Sequence, residues 1–195
     1  MIAFATDNAG KYRTVAGFLE QAGVAVRQAP MSLPEPRSLD VAEIARAKAA
    51  HAFSVLGSPC LAVDSAFFIP ALGGFPATYV NFVLTTIGLS GILALAGGRE
   101  LPCEFRNCLA YVDSALPEPK VFSSPVPGRL APSPRGECPP WAWSELYRVF
   151  IPAGRSRTLA QMSRENYLKW TEDLHRDSFV SAFSAWLKTR KGKEA

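Results

Sequence analysis

Asp64-Ser65-Ala66-Phe67-Phe68-Ile69-Pro70-Ala71-Leu72-Gly73-Gly74-Phe75-Pro76 is the stretch whose reading decides the fold. It follows the apolar run Cys60-Leu61-Ala62-Val63, which reads as a buried strand, Cys60 to Asp64, ending on a carboxylate ahead of a glycine- and proline-rich turn. Strand ends next to such turns are where α/β folds assemble their sites. A carboxylate at the end of an apolar strand is costly to bury unless it is paired or metal-bound. Asp64 is therefore the leading candidate for a catalytic carboxylate, against the plainer alternative that it caps the turn through Ser65.

Outward from this stretch the chain alternates strands and helices. Ile2 to Thr6 is a short apolar run ending in the turn-formers Asp7, Asn8, Ala9 and Gly10, and a periodic segment from Tyr12 to Ala22 closes at Gly23. Val24 to Val26 resumes strand character, Pro30 to Arg37 is a proline-rich connection, and a second helix is expected from about Leu39 to Leu56. Beyond the glycine turn come two short helices, Thr78 to Thr86 and Ser90 to Ala96, and two long strands, Cys103 to Val112 and Lys120 to Leu130. Ala131 to Trp143, rich in proline and tryptophan, reads as an ordered irregular loop, with Ser163 and Asp177 as caps of two final helices. The pattern predicts a mixed α/β fold around a central sheet, as one domain over 1–195.

The 195 residues, 48% of them apolar, suffice for a proper core, and a net charge of +4 suits a phosphate-bearing small ligand but not a nucleic-acid footprint. Much of the basic excess sits in the tail Lys188, Arg190, Lys191 and Lys193, read as a solvated helix end. Tyr79 to Gly98 is uncharged and about long enough to span a bilayer, yet Asn81, Thr85, Thr86, Ser90 and its glycines dilute it, so no membrane association is expected. Four cysteines without C-x-x-C spacing, and a chain opening directly into a strand without a signal peptide, lead us to expect a reducing cytoplasm.

Two elements point to an anion. The loop Thr6-Asp7-Asn8-Ala9-Gly10-Lys11 lies between a strand and a helix, so its backbone N–H groups and the helix dipole face any anion there, with Lys11 adding a full charge. On the second helix Val41, Ile44, Ala45, Ala52, Val55 and Leu56 fall on one stripe with Lys48 at its middle. Such a lysine either snorkels to the surface or reaches into a cleft to meet a phosphate. Glu43 sits near the opposite side of that helix, where a solvated residue contacting Arg46 is the ordinary reading and only its first-turn position leaves a cleft-lining role open.

Taken together, Thr6-x-Asn8-x-x-Lys11, Glu43-Ile44-Ala45-x-x-Lys48-Ala49, Asp64-Ser65, Ala71 to Pro76 with Tyr79, Thr86 to Leu93, Pro134-Arg135-Gly136, Phe150-Ile151-Pro152, Thr158 to Ser163 and His175-Arg176 resemble the inosine triphosphate pyrophosphatase family from Ile2 to Leu187. The resemblance implies an elongated mixed central sheet flanked by helical lobes with a nucleotide cleft between them, and a homodimer. It implies Mg²⁺-dependent hydrolysis of a deaminated or modified purine nucleoside triphosphate to the monophosphate and pyrophosphate. Thr6, Asn8 and Lys11 then grip the triphosphate, Lys48 meets the phosphates, Glu43 and Asp64 hold Mg²⁺, and Asp64 acts as ligand or base. Ser65, Gly73, Gly74, Phe75, Arg135, Tyr147, His175 and Arg176 complete the substrate contacts, the glycines by allowing close backbone approach. Val63 stands where that family has a first acid, Asn81 where it has a cation, and Tyr147 where it has a base-reading Asp. These departures support a second reading, a catalytically impaired relative that binds nucleotides.

Overall fold

In a computed structural model of the chain the described residues are 1–194, those from 191 onward as backbone alone, so the tail side chains Lys191 and Lys193 lie outside the described residues. The elements run β1 (Ile2–Ala5), α1 (Ala9–Gln21), β2 (Val26–Ala29), α2 (Val41–Leu56), β3 (Cys60–Phe68), β4 (Pro76–Ala77), α3 (Val80–Thr86), α4 (Gly88–Leu95), β5 (Leu101–Val112), β6 (Lys120–Leu130), β7 (Phe150–Pro152), α5 (Arg164–His175) and α6 (Phe179–Glu194). Seven strands form one sheet in the order β2-β1-β3-β5-β6-β7, with β4 attached to β3. β1 pairs in parallel with β2 and β3, whereas β3 with β4 and β6 with β7 are antiparallel, so the sheet is mixed as expected.

The chain divides into two compact units, one of Met1–Asp64, Asn107–Ser124 and Glu172–Ala195, the other of Ser65–Arg106 and Pro125–Thr171. The divisions fall inside β3, β5, β6 and α5. The first unit buries Phe4, Leu19, Leu61, Phe179 and Phe183, and α6 is fastened by the Arg190 guanidinium on the Asp113 carboxylate at 2.9 Å. The second gathers Phe67, Phe105 and Phe150, with ring centroids 4.7 to 6.2 Å apart, geometry that adds about 0.5–1.5 kcal/mol per pair beyond burial. There Gly128 lies so close to β7 that a Cβ would stand 2.5 Å from the Ile151 carbonyl oxygen.

Three boundaries and one position on a helix face differ from the sequence expectation as follows. β2 begins at Val26 rather than Val24, because the Val24 N–H is used to close α1, bonding to the Leu19 carbonyl at 2.8 Å after Gly23 turns the chain at φ 79°. β3 does not end at Asp64 but continues to Phe68, held by the pairing of Phe67 with Ala77 and Phe68 with Pro76. Asp64 is thus a mid-strand residue. Ser178 rather than Asp177 caps α6, its hydroxyl accepting from the Val180 N–H at 3.2 Å. Finally, Val55 leaves the apolar stripe of α2 and is exposed. The uncharged run from Tyr79 to Gly98 is split into α3 and α4, and among the described residues no helix is long and apolar enough to cross a membrane.

Candidate active site

The first unit brings together three of the expected residues and one that was not. α2 is capped by Asp40, whose carboxylate accepts from the Ala42 N–H at 2.8 Å, and it ends on Gly57 in the left-handed conformation at φ 60°. Between these caps Val41, Ile44, Ala45, Ala49 and Ala52 are buried, and Lys48 is buried among them at 8% exposure. Its ammonium donates to Asp64 Oδ1 at 2.7 Å and lies 2.7 Å from Glu35 Oε1. Burial works to lower the Lys48 pKa, but the Asp64 carboxylate, with help from Glu35, outweighs it and raises the value above the ordinary lysine range.

Lys48 therefore does not snorkel. It is a buried cation held by two acids, and its presence explains how a carboxylate survives in the middle of an otherwise apolar strand. Lys11 completes the cluster from α1: its Nζ donates to the Val63 carbonyl oxygen at 3.0 Å, one residue before Asp64. Burial lowers the Lys11 pKa, and the Asp64 charge opposes that shift.

The anion loop is built as its sequence suggests. The Asn8 side chain caps α1 by accepting from the Lys11 N–H at 2.8 Å, and the buried Thr6 hydroxyl accepts from the Asn8 N–H at 3.2 Å. Thr6, Asn8 and Lys11 are thus fixed at the N-terminal end of a 13-residue helix, the end that favours negative charge.

Glu35 is the residue that sequence reasoning missed. It projects from the connection between β2 and α2, between Pro34 and Pro36, and its side chain is 68% exposed even as it reaches Lys48. The one available signal was an acid clamped between two prolines. Glu43, expected as a metal ligand, is exposed and accepts from the Ser38 hydroxyl at 2.6 Å, and Ser38 in turn accepts from the Asp40 N–H at 3.0 Å. Glu43 thus supports the start of α2. Among the described residues no three His, Cys, Asp or Glu side chains gather as a group able to hold a metal, so a cation here would rely on Asp64, Glu35 and its other ligands.

His175 and Arg176 also belong to the first unit. His175 is the last residue of α5 and is buried, its ring centroid 4.2 Å from that of Phe18 and its Nδ1 2.9 Å from the Ser178 hydroxyl. Burial pushes its pKa down to about 4. Arg176 is exposed and pairs with Asp173 at 3.2 Å.

The second unit holds the remaining candidates. Ser65 has a buried hydroxyl oxygen without a hydrogen-bond partner. Gly73, at φ 64°, closes the 3₁₀ turn of Pro70–Leu72, Gly74 follows at φ 88°, and Phe75 precedes a cis peptide to Pro76. The Arg135 backbone is pinned by its N–H to the Arg148 carbonyl at 2.8 Å and by the Thr158 hydroxyl on its own carbonyl at 3.0 Å. Tyr147 is only 5% exposed and shares a 3.1 Å hydroxyl contact with Tyr167, so burial, with Tyr167 beside it, raises its pKa well above the ordinary value. Trp141, Tyr167 and Trp170 extend this cluster, and the Trp141 indole N–H is buried without a partner. The proline- and tryptophan-rich loop is therefore packed onto α5 through Tyr167.

Comparison with known proteins agrees with this architecture. The chain is 35% identical over 96% of its length to a dITP/XTP pyrophosphatase of Methanopyrus kandleri, covering 96% of that protein, and 34% identical, again over 96%, to the one of Thermococcus kodakarensis, covering 97%. Among solved structures, a HAM1 protein from Coxiella burnetii superposes with a TM-score of 0.77 at 19% identity, over 97% of this chain and all of that one. The Ham1 family model matches residues 2–177, and with relatives this similar along nearly its whole length the chain belongs to the Ham1 family.

Proposed function

We propose that this protein is a nucleoside triphosphate pyrophosphatase acting on deaminated or modified purine nucleotides such as inosine and xanthosine triphosphates, as a single functional domain, a homodimer and a cytoplasmic enzyme. The observation that carries the reading is the buried Lys48 ammonium between Asp64 and Glu35, next to Lys11 and the capped N-terminus of α1. The names of the archaeal relatives supply the substrate class.

Water attacks the α-phosphorus and the bond to the β,γ-pyrophosphate breaks, so the products are a nucleoside monophosphate and pyrophosphate. Lys11 and Lys48 lie where they offset the charge that grows on the departing pyrophosphate, and Thr6 and Asn8 orient the chain by their hydroxyl and amide at the helix end. Asp64 acts either as a ligand of the cation or as the base that receives the water proton. A divalent cation fits the donor chemistry, since Mg²⁺ is commonly held by one or two carboxylates together with substrate phosphates, and Asp64 with Glu35 are the two this cluster provides. When bound, such an ion neutralises phosphate charge. Arg135, His175, Arg176, Ser65, Gly73, Gly74 and Phe75 are proposed as further substrate-contacting residues. Tyr147 contributes through the loop it anchors.

The test is pyrophosphate release with Mg²⁺ from inosine, xanthosine and the four standard purine and pyrimidine triphosphates. Turnover concentrated on the first two, lost in Asp64→Asn, is expected. No release from any of them would sink the proposal.

A further inference from the structure

The two acids that can hold a divalent cation are both occupied by one ammonium. Lys48 Nζ is 2.7 Å from Asp64 Oδ1 and 2.7 Å from Glu35 Oε1, and the Lys48 and Asp64 side chains are only 10% and 11% exposed. We infer that Lys48 is an internal counter-ion that the divalent cation must displace, so that cation and triphosphate bind as a coupled pair and neither binds well alone.

The charges at the cluster support this order of binding. Lys48 and Lys11 carry positive charge, Asp64 and Glu35 negative, so the ligand-free cluster is close to neutral. A metal-free triphosphate arriving there finds Lys48 already neutralised by two carboxylates and meets their repulsion. A cation arriving alone must push an ammonium away from both acids, and Lys48, buried on the apolar face of α2, has no third acid to receive it among the described ion pairs. When both arrive, Asp64 and Glu35 pass to the cation while Lys48 passes to a phosphate oxygen, and each charge keeps a partner of opposite sign. Glu35 is the movable member of the pair. It stands on an irregular connection with its side chain 68% exposed, whereas Asp64 is fixed in the middle of β3.

This inference rests on the proposed site but not on its catalysis, so the two can fail separately. Mn²⁺ binding is followed by electron paramagnetic resonance on the full chain, with and without inorganic tripolyphosphate. In the wild type, tripolyphosphate should tighten Mn²⁺ about tenfold or more. In Lys48→Met, Mn²⁺ alone should bind about tenfold tighter than to the wild type, and the coupling should fall to what direct contact between cation and phosphate supplies. In Glu35→Gln, tripolyphosphate in excess chelator should bind more tightly than to the wild type, because one competing acid has gone. Unchanged or weaker Mn²⁺ binding in a folded Lys48→Met overturns the inference, as does unchanged metal-free tripolyphosphate binding in Glu35→Gln; that second variant decides the matter where the first does not fold. Pyrophosphatase activity without coupling would leave the proposed function standing and remove the exchange. Coupling without activity would do the reverse.

Discussion

Acid should destabilise this protein through His175 in a way that one substitution can isolate. The imidazole is 8% exposed, packed against Phe18 and the edge of Phe179, with Ser178 at 2.9 Å as its polar contact. Burial lowers its pKa from 6.5 to about 4 in the folded chain. The unfolded chain therefore takes up a proton as pH falls through about 6.5, while the folded chain takes it up only near 4. The stability this group provides is complete above its unfolded value and is lost across that window. At about 1.4 kcal/mol per unit the loss between pH 7 and pH 4 comes to about 3 kcal/mol, or a fall in Tm of roughly 10 °C for a chain of this size. Urea unfolding of the wild type and of His175→Phe at pH 7, 5.5 and 4 measures it. The substitution keeps the ring packing and removes the titration, and the Ser178 hydroxyl retains the Val180 N–H and the His175 backbone carbonyl as partners. The wild type should lose about 3 kcal/mol more than the variant over this range. Parallel pH profiles would mean that His175 titrates normally and is not packed as described.

Asp64→Asn should lower kcat/KM by roughly 10²–10⁴-fold at saturating Mg²⁺, and a loss of less than tenfold would remove Asp64 from the role of base. Asp113→Asn removes the carboxylate facing the largely buried Arg190 guanidinium and should cost about 1–3 kcal/mol in urea unfolding; a cost near zero would show that this ion pair does not fasten α6. In Gly128→Ala the new Cβ meets the Ile151 carbonyl oxygen and the Phe150 ring at 2.5 Å, so about 1–3 kcal/mol of destabilisation is expected, and a neutral result in thermal unfolding would contradict the β6–β7 spacing. Trp141→Phe removes an indole N–H that is buried without a partner and should be neutral or stabilising; clear destabilisation would reveal an acceptor for it.

The legible parts of this chain are those in which one residue contradicts a periodic background. A carboxylate in the apolar run of β3 and a lysine on the apolar stripe of α2 each carry a burial cost that some partner must offset, and they turn out to be partners of one another. The N-terminal loop was readable for a different reason, because an Asn ahead of a helical period is itself a capping signal. Glu35 carried no such contrast. An irregular connection has no period to violate, and an acid between prolines is ordinary until its partner is known.

The strand errors share one physical origin. Asp64 and Ser65 look like the polar end of a strand, yet sheet pairing is decided by backbone neighbours, and β4 provides them as far as Phe68. β2 is an edge strand whose register comes from β1, so its apolar content said little about where it begins. Glu43 lies away from the Lys48 stripe, as helix geometry predicts, and its carboxylate accepts from Ser38 at the start of α2.

The same strand geometry bears on Val63, the departure that most invites the idea of lost activity. Successive side chains on β3 point to opposite faces, so Val63 and Asp64 do not share one. The Asp64 face holds Lys48 and, through it, Glu35, while Val63 is buried on the other face and meets the cluster only through its backbone carbonyl, which receives Lys11. An acid at position 63 would add a carboxylate away from the Lys48 ammonium and leave the carbonyl where it is. What Val63 removes is therefore separable from the cluster of Lys11, Lys48, Asp64 and Glu35, which remains in place.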